Sequence, residues 1–307
     1  MSLLYIFAAS SMEAEAVRKI AVSTSSNPPF PCGANDLVLV ITGMGPTSAK
    51  SKAEVALGRA SGVFGVGRNP VAVLVIGLCG GLTASMPEGR IVAYTECVSA
   101  EPTRPPLRCS ETIADSLIAL LGSSTIRCDP VTGVTSPRIA TTPAERLDLA
   151  KSGATVVDME SYSILEEAAI ARVPAAVLRV VSDSHDRTLP DFNRALNESG
   201  GLDLRKALRV ALGSPLRTAK LIIANRRAMR RLGEALEIVL KAPNVEKAPA
   251  DVDVTVGSTV PSTVRVQPFP TDVSTKVPQV KTHTFFVQGD KVIIVNPVDN
   301  KIAEVVD

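Results

Sequence analysis

Aromatic side chains are scarce in this 307-residue sequence: they make up 3% of it, and Trp is absent. Proteins that bind single-stranded nucleic acid stack bases on aromatic rings along a basic groove. The formal net charge is only +2, which is too small to indicate a nucleic-acid partner. The sequence therefore predicts a protein without a nucleic-acid-binding role.

Histidine and cysteine are also sparse. With only His185 and His283 present, no metal site is expected. The five cysteines are odd in number and form no C-x-x-C pair, which argues against a disulfide framework and for reduced thiols in the cytoplasm. No apolar run is as long as a membrane span. The N-terminal LLYIFAAS lacks the basic region of a signal peptide, so we expect a buried first strand there.

Short apolar runs alternate with helical segments over the first two thirds of the chain. Runs such as Leu37–Thr42, Val71–Ile76 and Ala175–Val181 have the composition of buried strands, and the helical pattern returns after each. This alternation is typical of an α/β fold with a largely parallel sheet.

The composition changes twice towards the C-terminus. Residues 203–241 form two helical segments with ten Lys or Arg against three acids. They are either a solvated helix face or a basic amphipathic surface for anionic lipid or an amphiphilic substrate. Residues 242–250 are predicted to be a linker, and 251–307 a small β module with a hairpin turn at Gly289-Asp290.

Two carboxylates mark the segment VDMESYSILEEAAIARVPAAVLRVVSDSHD. Glu160, with Asp158 close by, stands where a helical pattern begins, and Asp183 follows an apolar strand. Ligands of open α/β sheets bind at the carboxyl edge of the strands. The spacing therefore predicts two acids placed around one small molecule.

Glycines follow two of the predicted strands, at Gly43-Met-Gly45 and at Gly77-Leu-Cys-Gly80-Gly81. A dinucleotide-binding turn is disfavoured, because the third glycine is absent and no acid ends a strand about twenty residues later. A turn that brings backbone N–H groups close to a ribose or an anion is favoured.

Taken in order, the GMG turn, the GLCGGL turn, VDMES and RVVSDS resemble the nucleoside phosphorylase and nucleosidase superfamily over Leu3–Asp186. This superfamily includes purine nucleoside phosphorylase and methylthioadenosine/S-adenosylhomocysteine nucleosidase. GMGPTSAKSKAEVAL, DMES and TLPDFNRAL…LRTAKLIIANRRAM are most similar to its hopanoid-associated phosphorylase branch, as far as Val239. The resemblance implies a three-layer α/β/α catalytic domain over residues 1–241. The module at 251–307 resembles small alphaproteobacterial domains of unknown function, which implies no activity.

The resemblance also implies residue roles. Glu15 would activate the attacking water, Glu160 would bind the ribose hydroxyls with Met159 beneath the sugar, and Asp183 would protonate the leaving purine at N7. An oxocarbenium-like transition state gives each role a chemical reason, since the base leaves protonated and a carboxylate stabilises the sugar's positive charge. The remaining substrate-binding residues are expected along the turns and base pocket: Gly43, Gly45, Leu78, Cys79, Gly80, Ile139 and Ser182.

Two departures from the family pattern bear on the substrate. Where hexameric phosphorylases carry Arg and Ser for phosphate, this sequence has Val75 and Leu78, which favours water as the nucleophile. The adenine-stacking aromatic is missing, and Arg138 or Ile139 stands in its place.

The expected activity is cleavage of adenosylhopane to release adenine, without a cofactor and with phosphate left open as a co-substrate. The alternatives are a methylthioadenosine/S-adenosylhomocysteine nucleosidase and a nucleoside- or lipid-binding module without turnover. The resemblance further implies a homo-oligomer. Residues 203–241 are the candidate for peripheral membrane contact by this otherwise cytoplasmic protein.

Overall fold

The computed structural model describes residues 2–21, 30–32, 35–58, 71–197, 200–241, 252–261, 264, 266–269, 273–274, 277–288 and 291–306. The chain divides into two compact units, Met1–Ala242 and Pro243–Asp307. The predicted linker at 242–250 and the predicted turn at Gly289-Asp290 lie outside the described residues.

The first unit contains strands and helices in alternation. Its strands are β1 (Ser2–Ala8), β2 (Phe30–Cys32), β3 (Asn35–Ile41), β4 (Ala72–Gly81), β5 (Ile91–Ser99), β6 (Leu107–Arg108), β7 (Cys128–Thr135), β8 (Val156–Asp158) and β9 (Ala175–Asp183). Its helices are α1 (Ser11–Arg18), α2 (Pro46–Gly58), α3 (Glu111–Ser123), α4 (Pro143–Ala150), α5 (Ser161–Ile170), α6 (Leu204–Gly213) and α7 (Pro215–Lys241).

The strands form one mixed, largely parallel sheet. β1 is parallel to β3 and β4, and β9 pairs in parallel with β4 and antiparallel with β5. β5 is parallel to β7 and β7 to β8, while β8 pairs antiparallel with the end of β4. The pairings β4–β9–β5–β7–β8–β4 therefore close a ring, and the strand ends around it come close together.

Helices cover both faces of the sheet. On one face α2 and α5 bury small and branched residues such as Ala53 and Ile164 in a common core. On the other face α1, α3 and α7 do the same, with residues such as Val17, Leu117 and Leu232. The predicted three-layer α/β/α architecture is confirmed.

Strand β4 differs from the prediction, which ended it at Ile76 before a glycine turn. The strand continues through Gly77 and ends at Gly81. Gly80 and Gly81 pair with β8, and a Cβ atom on Gly80 would lie 3.1 Å from Asp183 Oδ2. The glycines keep the strand free of side chains where neighbouring segments approach it closely.

The second unit is a four-stranded antiparallel sheet of β10 (Gln267–Pro268), β11 (Thr284–Gln288), β12 (Lys291–Asn296) and β13 (Lys301–Val306). Apolar side chains such as Phe286, Ile293 and Ile302 form its own core. The predicted β-rich character of this unit is confirmed, and β11 and β12 pair antiparallel as a hairpin requires.

Candidate active site

A cavity of about 340 Å³ opens where β1, β4 and β9 end, beside the short strand β8. These ends form the carboxyl edge of the sheet, as expected for a ligand site in an α/β fold. Buried charged groups from distant segments line it: Glu13, Arg146, Asp158, Glu160, Arg179 and Asp183. Because they are buried, their interactions are strong and little screened by solvent. The exposed Arg138 also lines the cavity.

Asp158 ends β8, and both of its carboxylate oxygens accept hydrogen bonds from neighbouring residues. Its Oδ1 accepts hydrogen bonds from Thr135 Oγ1 at 2.8 Å and from the backbone N–H groups of Glu160 and Ser161 at 2.9 Å. Its Oδ2 accepts one from the Tyr94 hydroxyl at 2.8 Å. Asp158 thus anchors the start of α5 and positions the residue two places later.

Glu160 points into the cavity from the N-terminus of α5. Its Oε1 accepts a 3.0 Å hydrogen bond from the backbone N–H of Gly45, and its Oε2 lies 3.4 Å from Arg179 Nη2. Burial raises the pKa of Glu160 to about 7; Arg179 opposes this shift and the Asp158 carboxylate adds to it. The Gly45 N–H and Arg179 occupy only part of the acceptor capacity of this carboxylate. It can therefore accept further hydrogen bonds from the hydroxyl groups of a ligand.

Arg179 of β9 connects these acids, although the sequence pattern did not single it out. Its Nε lies 3.8 Å from Asp158 Oδ2, and it donates to Ser161 Oγ at 3.0 Å and to the Leu78 carbonyl at 3.1 Å. Burial by itself would raise the pKa of Asp158, but the neighbouring Arg179 guanidinium holds that pKa below its ordinary value. The available signal was a lone cation within the apolar run AAVLRVV.

Glu15, the acid predicted to activate water, lies outside this cavity in the structure. Glu15 is exposed on α1 and pairs with Arg18 at 3.8 Å, whereas Glu13 is buried at the cavity. Glu13 Oε1 accepts a 3.0 Å hydrogen bond from the Leu78 N–H, and Oε2 accepts from the Ser10 N–H at 2.8 Å. Two positions along an α-helix differ by about 200°, so only one of the two acids faces the sheet. The Ser10-x-x-Glu13 capping box was the overlooked signal.

Asp183 ends β9, as the sequence predicted, and its side chain is buried. Ser182 Oγ donates to its Oδ1 at 2.6 Å, and Arg146 of α4 forms an ion pair with its Oδ2. Arg146 also donates to the carbonyls of Gly81 and Ser184, each at 3.1 Å. A buried cation is therefore paired directly with the carboxylate at the end of β9. Nothing in PAERLDLA distinguishes Arg146 from a surface helix residue.

Most of the other predicted contacts line the cavity: Met159, Leu78, Cys79, Gly80, Ile139 and Ser182. Gly43 and Gly45 have φ angles of 78° and 95° and form the turn before α2. The turn presents Met44 to the cavity, while Gly43 and Gly45 lie outside the residues that line it. Ile139 is held by Asn193, which accepts from its N–H at 2.8 Å and donates to its carbonyl at 3.0 Å.

Val75 and Leu78 stand where hexameric phosphorylases carry phosphate-binding residues, and the two have different environments in the structure. Val75 is buried in the core of β4, whereas Leu78 lines the cavity. In the part of the chain that the structure describes, no three His, Cys, Asp or Glu side chains are grouped to hold a metal ion. The four cysteines whose side chains are described are free and buried: Cys79, Cys97, Cys109 and Cys128.

A model of the phosphorylase superfamily matches residues 30–207, more than half of the chain. The chain belongs to this superfamily. The membership confirms the superfamily resemblance and the predicted class of enzyme. No curated protein matches the chain.

Solved structures of similar fold agree with this assignment. The chain superposes on a 5′-methylthioadenosine/S-adenosylhomocysteine nucleosidase from Neisseria meningitidis, in complex with methylthio-immucillin-A, with a TM-score of 0.61 at 14% identity. It superposes on a futalosine hydrolase mutant of Helicobacter pylori with a TM-score of 0.60 at 12% identity. Both matches cover 78% of this chain and 99% of the other. At sequence identities this low, the similarity shows a shared fold and nothing more specific.

Proposed function

We propose that this protein hydrolyses the N-glycosidic bond of a purine nucleoside. The observation that carries the proposal is the convergence of Glu13, Glu160 and Asp183 on one cavity. They come from α1, the start of α5 and the end of β9. The volume, about 340 Å³, lies within the range of small-molecule sites. The solved nucleosidases of the same fold support the same reaction class.

Each acid has a part in the proposed reaction. Glu13 accepts a proton from water while the water oxygen bonds to C1′ of the sugar and the bond from C1′ to the purine nitrogen breaks. Glu160 accepts hydrogen bonds from the ribose hydroxyls, with Met159 against the sugar. Asp183 delivers a proton to N7, so that the base leaves as a neutral purine. A general acid of this kind contributes about 10²- to 10⁴-fold in rate.

Arg146 supports this proton transfer. It forms an ion pair with Asp183 Oδ2, so the carboxylate that is left after the proton has moved to N7 stays paired with a buried cation. The bound purine also excludes water from Asp183 and Arg146. The exclusion of water favours transfer of the proton between Asp183 and N7.

Water is the proposed nucleophile, with phosphate as the alternative. The side chain that the cavity presents at the expected phosphate position is Leu78, which cannot bind an anion. Glu13, by contrast, is a base held by two backbone N–H groups, those of Ser10 and Leu78. This arrangement supports hydrolysis.

The proposed substrate is a lipid-linked adenosine, adenosylhopane, which the hopanoid-associated branch implies. The surface of α6 supports an amphiphilic substrate, since Leu204, Leu208 and Leu212 are 80%, 60% and 71% exposed. Leu202, just before this helix, lines the cavity. Methylthioadenosine or S-adenosylhomocysteine is the alternative substrate, favoured by the solved structures of similar fold.

A peripheral membrane contact through α6 is part of this proposal. Among the described helices, none is both long enough and apolar enough to cross a bilayer. An exposed leucine face flanked by Arg205, Lys206 and Arg209 is typical of helices that lie on anionic lipid. We expect co-sedimentation with phosphatidylglycerol vesicles and a loss of binding when the three exposed leucines of α6 are replaced by Ser. Because α6 has no buried residue, the variant should still fold. Equal vesicle binding by the variant and the unchanged protein would contradict the membrane contact.

Measurement of free adenine tests the proposed reaction. Adenosylhopane, methylthioadenosine and S-adenosylhomocysteine are incubated with the protein in buffers with and without phosphate. Release in both buffers supports hydrolysis, release only with phosphate makes the protein a phosphorylase, and no release from any of them overturns the proposal. Asp183→Asn should retain nucleoside binding and lose about 10²-fold or more in rate; unchanged turnover would remove Asp183 from its role.

A further inference from the structure

A second cavity, of about 750 Å³, runs between α1 and α7. We call it the α1/α7 groove. On the α1 side it is lined by Met12 and Ala16, which lie four residues apart on one face of the helix, and by Ile20 just beyond the helix end. On the α7 side Ile222, Met229 and Gly233 lie along the opposite wall. Apolar side chains therefore line the groove on both sides.

Charged side chains stand among these apolar residues. Glu15, Lys19, Arg226 and Arg230 also line the groove. Glu15 pairs with Arg18 at 3.8 Å, and the aliphatic stems of Lys and Arg can cover apolar surface while their charged ends remain in water. Glu237 also lines it and is neutralised by Lys241, whose Nζ lies 2.6 Å from its carboxylate. A groove of this kind suits an apolar ligand better than a charged one.

The groove meets the nucleoside cavity. Met12 and Asn225 line both. Met12 directly precedes Glu13, so the junction lies near the proposed water-activating acid. Asp183 and Arg146, which face the base in the proposed function, line the nucleoside cavity only.

We infer that the α1/α7 groove binds an apolar substituent carried on C5′ of the nucleoside. The inference rests on the proposed function, which places the sugar beside Glu13 and Glu160. From there the shared residues Met12 and Asn225 lead out of the nucleoside cavity into the groove. The groove has more than twice the volume of that cavity, whereas a methylthio group has only two non-hydrogen atoms. The occupant that fits is a long hydrocarbon chain or a fused apolar ring system.

A series of 5′-alkylthioadenosines from methyl to decyl tests the length of the site. Each methylene that leaves water contributes about 0.8 kcal/mol, or about fourfold in kcat/KM. Because one side of the groove is open to solvent, we expect a smaller total gain of roughly 100-fold from methyl to decyl. A kcat/KM that does not change with chain length would overturn the inference while the proposed function stands.

Two neighbouring isoleucines of α7 provide a matched pair of variants. Ile222 and Ile223 are 47% and 50% exposed, and only Ile222 lines the groove. Ile222→Asp should lower kcat/KM for the decyl compound at least tenfold and leave the methyl compound within twofold, while Ile223→Asp should change neither. An equal effect of both variants on the decyl compound would contradict the site.

Gly233 offers a second variant that acts by filling space. A Cβ added there meets nothing within 4 Å, so Gly233→Phe should fold and should obstruct the groove. Binding of the decyl compound, measured by calorimetry, tests the groove separately from the proposed nucleosidase activity. Tight binding that Gly233→Phe weakens, without turnover of any nucleoside, supports the groove and overturns the proposed function; binding that is insensitive to both chain length and this variant overturns the groove.

Discussion

The backbone N–H of Gly45 donates a hydrogen bond of 3.0 Å to Oε1 of Glu160, across 115 positions of the chain. Through this bond the turn before α2 orients a carboxylate at the start of α5. Gly45 has a φ angle of 95°, a conformation that glycine adopts without strain. The glycine turn thus contributes to the site by positioning the acid, rather than by lining the cavity itself.

The ionisation of Glu160 should make nucleoside binding depend on pH near neutrality. Burial raises the pKa of Glu160 to about 7, so below that pH the carboxyl is largely protonated and accepts fewer hydrogen bonds from the ribose. We expect the Kd of a non-hydrolysable adenosine analogue to fall by up to about tenfold per pH unit from pH 5.5 to 7 and to level off above it. In Glu160→Gln binding should be weaker and this dependence absent. The same slope in the variant would assign the titration to another group.

Glu13 and Glu15 form a matched pair for the proposed base. Glu13 is buried at the cavity and Glu15 is exposed on the same helix. Glu13→Gln should lower kcat about 10²-fold or more, because the water loses its proton acceptor, and Glu15→Gln should leave kcat within twofold. The measurement is adenine release at saturating substrate. A larger loss from Glu15→Gln would restore the role that the sequence predicted for it.

The ion pair of Arg146 and Asp183 should be important for stability. Both side chains are buried, and removal of one partner leaves an uncompensated charge that costs about 3–5 kcal/mol. Arg146→Met should lower the free energy of unfolding by this amount in urea, and Arg146→Met/Asp183→Asn should recover most of it. Arg187→Met is the control, since its pair with Glu88 is partly exposed and worth about 1 kcal/mol or less. No recovery in the double variant would contradict the charge argument.

Gly77 lies directly behind Glu13 and Arg179. Its φ angle is 147°, and an added Cβ would overlap the Glu13 carboxylate and the Arg179 guanidinium. Gly77→Ala should therefore displace Glu13 and reduce kcat/KM at least tenfold. Gly122→Ala in α3 is the control, because a Cβ there meets nothing within 4 Å; it should leave activity unchanged and stability equal or higher. Full activity of Gly77→Ala would show that the position tolerates a side chain.

Sequence patterns predicted much of the fold of the first unit. Short apolar runs such as the one that forms β9 are local features of the sequence, and the predicted Ala175–Val181 agrees with the observed strand within two residues. The continuation of β4 through Gly77 was missed, because glycine usually signals a turn. There the close approach of β8 and Asp183 outweighs that local preference.

The sequence by itself determined the architecture, the superfamily and the placement of Glu160 and Asp183 at element ends that meet in one cavity. Only the tertiary structure showed that Glu13 rather than Glu15 lines the cavity, since this depends on the rotation of α1 about its axis against the sheet. It also revealed Arg146 and Arg179, whose partners lie 37 and 19 to 21 positions away. A buried cation is tolerated only where folding brings acids to it, and no local pattern encodes that encounter.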